Sequence, residues 1–275
     1  MRVVIIHGGG GNTAAMWPIA AHIAHLGAHV TVADLPGYGR TQPLADSRVT
    51  YADWQDLLVD LVEGLLAEDD RPLILLGASM GGMLALDVAA VVPQVSTVIA
   101  TCLLDLSDPD VQKHVVRSPL LVPLSNMLVS AVHGRAESAR IPMKLVTPME
   151  DVSNDPALSA EVMADGRGGG VRMPLGWFAG LLEGGPAVPA EEYAGAPVVL
   201  VHPAEDRWTP PEVSRNYLDR LPVETRYVEL PGCGHFPAEK PGFDVLLRTV
   251  TEVIAEFSES WTARREGLAD ARGTR

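Results

Sequence analysis

The sequence predicts an α/β domain: a mostly parallel sheet of about six strands, helices on both faces, and a helical lid inserted near the middle. Three observations carry this. Short apolar runs alternate with segments whose apolar residues recur at helical spacing, a rhythm that returns after residue 196. The stretch 73–82, LILLGASMGG, passes from an apolar run through G-x-S-x-G into a helix-like segment. Between Leu106 and Gly195 the rhythm fails, and Pro and Gly recur without long periodicity. The expected organisation is therefore a core of 1–105 and 196–261, a lid of 106–195, and a disordered tail of 262–275.

Composition bounds the function. With 275 residues, 47% of them hydrophobic, the chain is long enough to bury a sizeable core. The formal net charge of −14 argues against nucleic acid and anionic membrane surfaces as partners, which call for clustered cations. Cys102 and Cys233 are too few for a disulfide scaffold or a cysteine metal site; both read as packing residues. The opening apolar run is too short for a signal peptide, and no stretch reaches the length of a membrane span. The expected location is the cytoplasm, and a homodimer stays open.

Taken in order, Val3–Ile6 reads as a buried strand that ends in His7 and four glycines, Gly8–Gly11. Such a run favours no regular element, but it lets backbone N–H groups approach a ligand closely. Ala14–Leu26 reads as a helix with Trp17, Ala21, Ile23, Ala24 and Leu26 near one face, closed by Gly27. His29–Ala33 is a second strand, and residues 34–41, DLPGYGRT, form a rigid loop. Thr50 and Asp53 make a capping pair for a helix through Leu66, whose stripe runs Trp54, Leu57, Leu58, Leu61, Val62, Leu65. The run 73–76, the helix Met83–Val92 and the strand Val95–Leu104 follow. In the lid, Leu120–Val132 and Ala157–Ala164 read as short helices and Gly166–Gly170 as a flexible loop. Pro197–Val201 and Thr225–Leu230 are the last strands, Glu212–Arg220 the helix between them, and Gly242–Trp261 closes the domain.

Ligands of parallel sheets sit beyond the carboxyl ends of the strands. The loop at 7–10, Ser79, Asp105, Asp206 and His235 all follow strand signals, so they converge on one edge. A serine hydroxyl is a poor nucleophile and needs a base, which in turn needs an acid to hold its tautomer. His235 alone among the eight histidines lies in a Gly-flanked loop after the last strand. Asp206 supplies the order Ser–Asp–His, with Asp105 the runner-up and Glu205 third. The backbone N–H groups of Gly9 and Met80 are the expected oxyanion donors, with Gly10 an alternative.

With these residues in place, the chain resembles the α/β-hydrolases of lipase, esterase and lysophospholipase type. The matching stretches are 7–17 (HGGGGNTAAMW), 34–41, 77–82 (GASMGG), 202–210 (HPAEDRWTP) and 231–237 (PGCGHFP). It departs in opening one strand before the HG motif, which implies a shortened sheet. His202-Pro203 also stands where the acid strand usually ends in Gly. The resemblance implies a cofactor-free serine hydrolase acting on a carboxylic ester or thioester of a small, largely apolar substrate. Leu124, Met127, Trp177 and Phe178 would cover the pocket, with Trp17, Met80 and Trp208 near its floor; ordinary core packing is the competing reading for each. The same scaffold serves hydroxynitrile lyases, perhydrolases and triad-bearing receptors, so those remain the alternatives.

Overall fold

The computed structural model describes residues 1–43, 49–117, 137–183 and 185–273. Six strands form one sheet: β1 (Arg2–Ile6), β2 (His29–Ala33), β3 (Leu73–Gly77), β4 (Val95–Ala100), β7 (Val198–Pro203) and β8 (Thr225–Leu230). Their spatial order is β2-β1-β3-β4-β7-β8, and every neighbouring pair is parallel. Two further strands, β5 (Arg140–Pro142) and β6 (Arg172–Pro174), pair antiparallel outside it.

Alternation along the strands divides the core in two. Val4, Ile6, Leu73 and Leu75 face α2 (Tyr51–Glu68) and α3 (Met80–Val91), packing with Trp54, Leu58, Val62 and Leu84. Val3, Ile5, Ile74 and Leu76 face the other way, onto α1 (Thr13–His25) and the C-terminal helix Gly242–Gly273. A strand buried on both faces has no polar side to show, which is why β1 and β3 read as unbroken apolar runs.

The helix ends carry the signals their residues announce. Thr50 and Asp53 form a reciprocal capping box at the start of α2. The Asn12 side chain accepts from the Ala15 N–H, and Gly27 follows α1 at φ +84°.

Four expectations need correction. The buried face of α1 is Met16, Ile19, Ala20 and Ile23, while Trp17 is 68% exposed. The aliphatic stripe at three-four spacing packs on the sheet, and Trp17 sits about 100° away from Met16 around the axis. The fourth strand stops at Ala100 rather than Leu104: Cys102, Leu103 and Leu104 are buried without strand pairing. The stretch 166–170 is a packed turn in which the Gly168 and Gly170 N–H groups donate to the Asp165 carbonyl. It lies against the first glycine loop, for a Cβ on Gly168 would stand 2.8 Å from the Gly10 oxygen. Finally, the helix expected to end at Trp261 continues to Gly273.

Between β4 and β7 lie α4 (Pro109–Val115), α5 (Met143–Val146), α6 (Pro156–Ala164) and α7 (Leu175–Glu183), with the β5–β6 pair. The expected helix at Leu120–Val132, with Leu124 and Met127, falls outside the described residues.

Candidate active site

Sheet register brings the chemistry together. Ile6 pairs with Gly77 and Gly77 with Ala100, so the turns after β1, β3 and β4 leave the sheet at one level. Ser79 occupies the sharp turn between β3 and α3 at φ 53° and ψ −126°. It is the one non-glycine residue with positive φ among the described residues, a conformation that costs on the order of 1–3 kcal/mol. Packing enforces it. The Ser79 N–H donates to Thr101 Oγ1 at 2.9 Å, and the Ala78 N–H to the Ile6 carbonyl. A Cβ on Gly77 would fall 2.1 Å from the Gly81 oxygen, and one on Gly81 2.3 Å from the Ile6 oxygen. Gly8 is constrained likewise, for its Cβ would meet Ser79 Cβ at 2.7 Å.

At the other side of the sheet, Pro203 pairs with Leu230, and the Glu205 N–H donates to the Cys233 carbonyl. Those contacts tie the loop after β7 to the loop after β8. His235 Nε2 lies 2.7 Å from Ser79 Oγ, and His235 Nδ1 lies 2.8 Å from Asp206 Oδ2. The carboxylate is heavily bonded. Its Oδ1 accepts from the Trp208 and Thr209 N–H groups, each at 2.8 Å, and its Oδ2 accepts from the Thr209 hydroxyl at 2.8 Å. Burial pushes the Asp206 carboxyl up, but the His235 ring and the Thr209 donors outweigh it, so the group is held below the usual carboxylate range. Behind Thr209 the buried Cys102 thiol, 3.4 Å away, is pushed up to about 12 by burial and by the Asp206 charge.

Ser79 and His235 border a pocket that Gly9, Met80, Trp177 and Trp208 also line. Tyr51, Leu181, Gly185 and Pro186 line it too. The buried Asp87 carboxylate braces Tyr51, accepting from its Oη (3.1 Å), from Gln55 Nε2 (2.6 Å) and from the Ala187 N–H (2.7 Å).

Among known families, residues 3–246 match the alpha/beta hydrolase family. The chain belongs to that family. The monoacylglycerol lipase of Mycolicibacterium smegmatis is 29% identical over 258 residues, spanning 92% of this chain and 87% of its own. Among solved structures, the Paleococcus ferrophilus monoacylglycerol lipase superposes with a TM-score of 0.71 at 19% identity, covering 93% of this chain and 94% of its own. A soluble variant of the Saccharomyces cerevisiae monoglyceride lipase gives 0.75 at 18%, covering 93% and 86%. At these identities the two structures speak for the α/β-hydrolase fold, here with six strands.

Not every candidate residue joins the site. The ring of Trp208 lies 4.6 Å from that of His235, and Trp177 stacks between Trp54 and Phe178. Phe178 supports Trp177 from outside the cavity lining. Trp17 is on the outer face of α1, beside a surface hollow with Asp34, Arg40 and Arg167. Gly10, at φ +83°, borders a second cavity rather than the first. Of the lower-ranked acids, Asp105 accepts from the Ser107 N–H and hydroxyl, and Glu205 is exposed.

Other residues of the site had no clear signal. His7 is fully buried; its Nε2 accepts from the Leu35 N–H at 3.0 Å, so Nδ1 carries the proton toward the Gly8 carbonyl at 2.8 Å. Burial lowers its proton affinity, and the ring is a neutral clamp on the glycine loop. Asp34 adds a second tie, accepting from the Thr13 N–H and hydroxyl and the Arg40 N–H. Thr209 and Thr101 were invisible because a buried threonine hydroxyl leaves no periodic trace.

Proposed function

We propose that this protein hydrolyses a carboxylic ester of a small, largely apolar substrate through an acyl-enzyme on Ser79. The observation that carries the reading is the run of short contacts from Ser79 Oγ through His235 to Asp206. Ser79 Oγ attacks the carbonyl carbon while His235 Nε2 takes its proton. Asp206, kept ionised by its donors, orients the ring and stabilises its cationic form. The tetrahedral oxyanion is held by the N–H groups of Gly9 and Met80, each donor being worth on the order of 10²–10³ in rate. The C–O bond then breaks, and His235 returns the proton to the departing alcohol. Water, deprotonated by His235, repeats the addition at the acyl carbonyl and releases the acid with Ser79 restored.

The segment 106–195 acts in this reading as a lid. Met143, Thr147, Trp177, Leu181, Gly185 and Pro186 all come from it and line the cavity, whose wall is mostly apolar. The relatives named as monoacylglycerol lipases support an acyl ester as the substrate class. The test is hydrolysis of a chain-length series of p-nitrophenyl esters by wild type and Ser79→Ala. Steady turnover with a chain-length optimum, lost in the variant, is expected. Equal activity in both proteins would remove Ser79 from the reaction.

A further inference from the structure

In the sheet, β4 lies between β3, which leads to Ser79, and β7, which leads to Asp206. The residues just past β4 therefore run between the two. Thr101 bonds to one side: its Oγ1 accepts from the Ser79 N–H, and its own N–H donates to the Gly77 carbonyl. Cys102 bonds to the other, with Sγ 3.4 Å from Thr209 Oγ1 and 3.5 Å from Ser214 Oγ. The Ser214 oxygen accepts in turn from the Leu103 N–H at 3.0 Å. Because strand pairing stops at Ala100, that N–H is free to make this bond. Cys102, Leu103, Thr209 and Ser214 are all fully buried, and Cys102 does not line the pocket at Ser79.

Each hydroxyl and thiol in this row has one proton to give, and the carboxylate fixes where the last of them goes. Asp206 Oδ2 only accepts, so the Thr209 hydroxyl donates to it at 2.8 Å. At the other end the Leu103 N–H occupies the Ser214 oxygen, and the Ser214 hydroxyl gives its proton to the Cys102 sulfur. Burial and the Asp206 charge push the thiol up to about 12, so the sulfur keeps its own proton and directs it at Thr209. The donors thus run one way, from Leu103 through Ser214, Cys102 and Thr209 to Asp206, and each bond polarises the next. We infer that Cys102 is a positioning residue: its thiol donates to Thr209 and keeps the Thr209 hydroxyl turned onto Asp206, which orients His235. This rests on the ester-hydrolase reading above and deepens it.

The test is a double-mutant cycle, with kcat and KM measured on the p-nitrophenyl ester that wild type turns over fastest. Cys102→Ala should lower kcat by about fivefold with KM little changed, the loss expected for one hydrogen bond. Cys102→Ser, whose hydroxyl can donate and accept as the thiol does, should bring kcat back to within about twofold of wild type. In a Thr209→Val background Cys102→Ala should have no further effect, because the thiol then has no hydroxyl to direct. A packing role would instead make the two losses multiply. An unchanged kcat in Cys102→Ala, a Cys102→Ser as slow as Cys102→Ala, or losses that multiply would each overturn the inference. With turnover still dependent on Ser79, the hydrolase reading would stand; Ser79-independent turnover would overturn both. Should Cys102→Ala fail to fold, Ser214→Ala makes the same cycle with the same expectations, since the bare sulfur would then compete with Asp206 for the Thr209 proton.

Discussion

Thr209 Oγ1 stands 2.8 Å from Asp206 Oδ2 and 3.1 Å from His235 Nδ1, at the junction of the carboxylate and the imidazole. The carboxylate oxygen that faces the imidazole is thus shared with a hydroxyl donor. Removing that donor takes away one of the contacts that hold the carboxylate and the ring in register. Thr209→Val should therefore lower kcat by about tenfold with KM little changed, and Thr209→Ser should restore it. An unchanged kcat in Thr209→Val would show that the hydroxyl only packs.

Strain at Ser79 gives a stability prediction independent of catalysis. Alanine keeps the unfavourable positive φ, whereas glycine relieves it, less the entropy glycine loses on folding. Ser79→Gly should be more stable than Ser79→Ala by about 1 kcal/mol in urea titration, with both inactive. The opposite order would mean that the turn is not held in this conformation in solution.

Two glycines should respond in opposite directions. Gly64 has nothing within 4 Å of a built Cβ and lies inside α2, so Gly64→Ala should stabilise by about 0.5–1 kcal/mol. In Gly81→Ala the new methyl would press on the Ile6 carbonyl, and an overpacked site of this kind costs about 1–3 kcal/mol or more. Chemical denaturation of both variants checks the contrast.

Acid should weaken the fold from near neutrality downward. His7 and His202 are buried, and burial lowers the proton affinity of each ring. The unfolded chain takes up protons near the ordinary histidine value of about 6.5 while the folded chain resists them. Their contribution is therefore complete above that pH and is lost as pH falls below it, at up to about 1.4 kcal/mol per pH unit for each ring. Asp206, held below its ordinary value, adds a loss only in the acid range beneath the usual carboxylate pKa. Urea midpoints taken from about pH 8 to pH 5 should fall, and fall less steeply in His202→Gln. A midpoint unchanged across that range would contradict the neutral burial of both rings.

How much of this was legible follows from what apolar pattern encodes. The G-x-S-x-G turn could be placed because its flanks, a run buried on both faces and a helix, are themselves readable, and His235 and Asp206 because each follows a strand. Burial is legible where pairing is not. Cys102, Leu103 and Leu104 read as strand because they are buried, yet they make no ladder. Trp17 misled because size says nothing about which side of α1 faces the sheet. The glycines at 168–170 read as part of a flexible loop, but two of them allow backbone to approach Gly10 and Val162. The helix beyond Trp261 has no apolar stripe; its Ala- and Arg-rich residues are good helix formers extending a helix already nucleated by packing.

The central claim is that Ser79 is the nucleophile and His235 its base, and covalent labelling tests it most directly. Wild type, Ser79→Ala and His235→Ala would be treated with a fluorophosphonate and the adduct mapped by peptide mass spectrometry. The account predicts one stoichiometric adduct on Ser79 in wild type, none in Ser79→Ala, and labelling slowed by about 10³-fold or more in His235→Ala. Stoichiometric labelling of another residue, or unchanged labelling of Ser79 without His235, would contradict it.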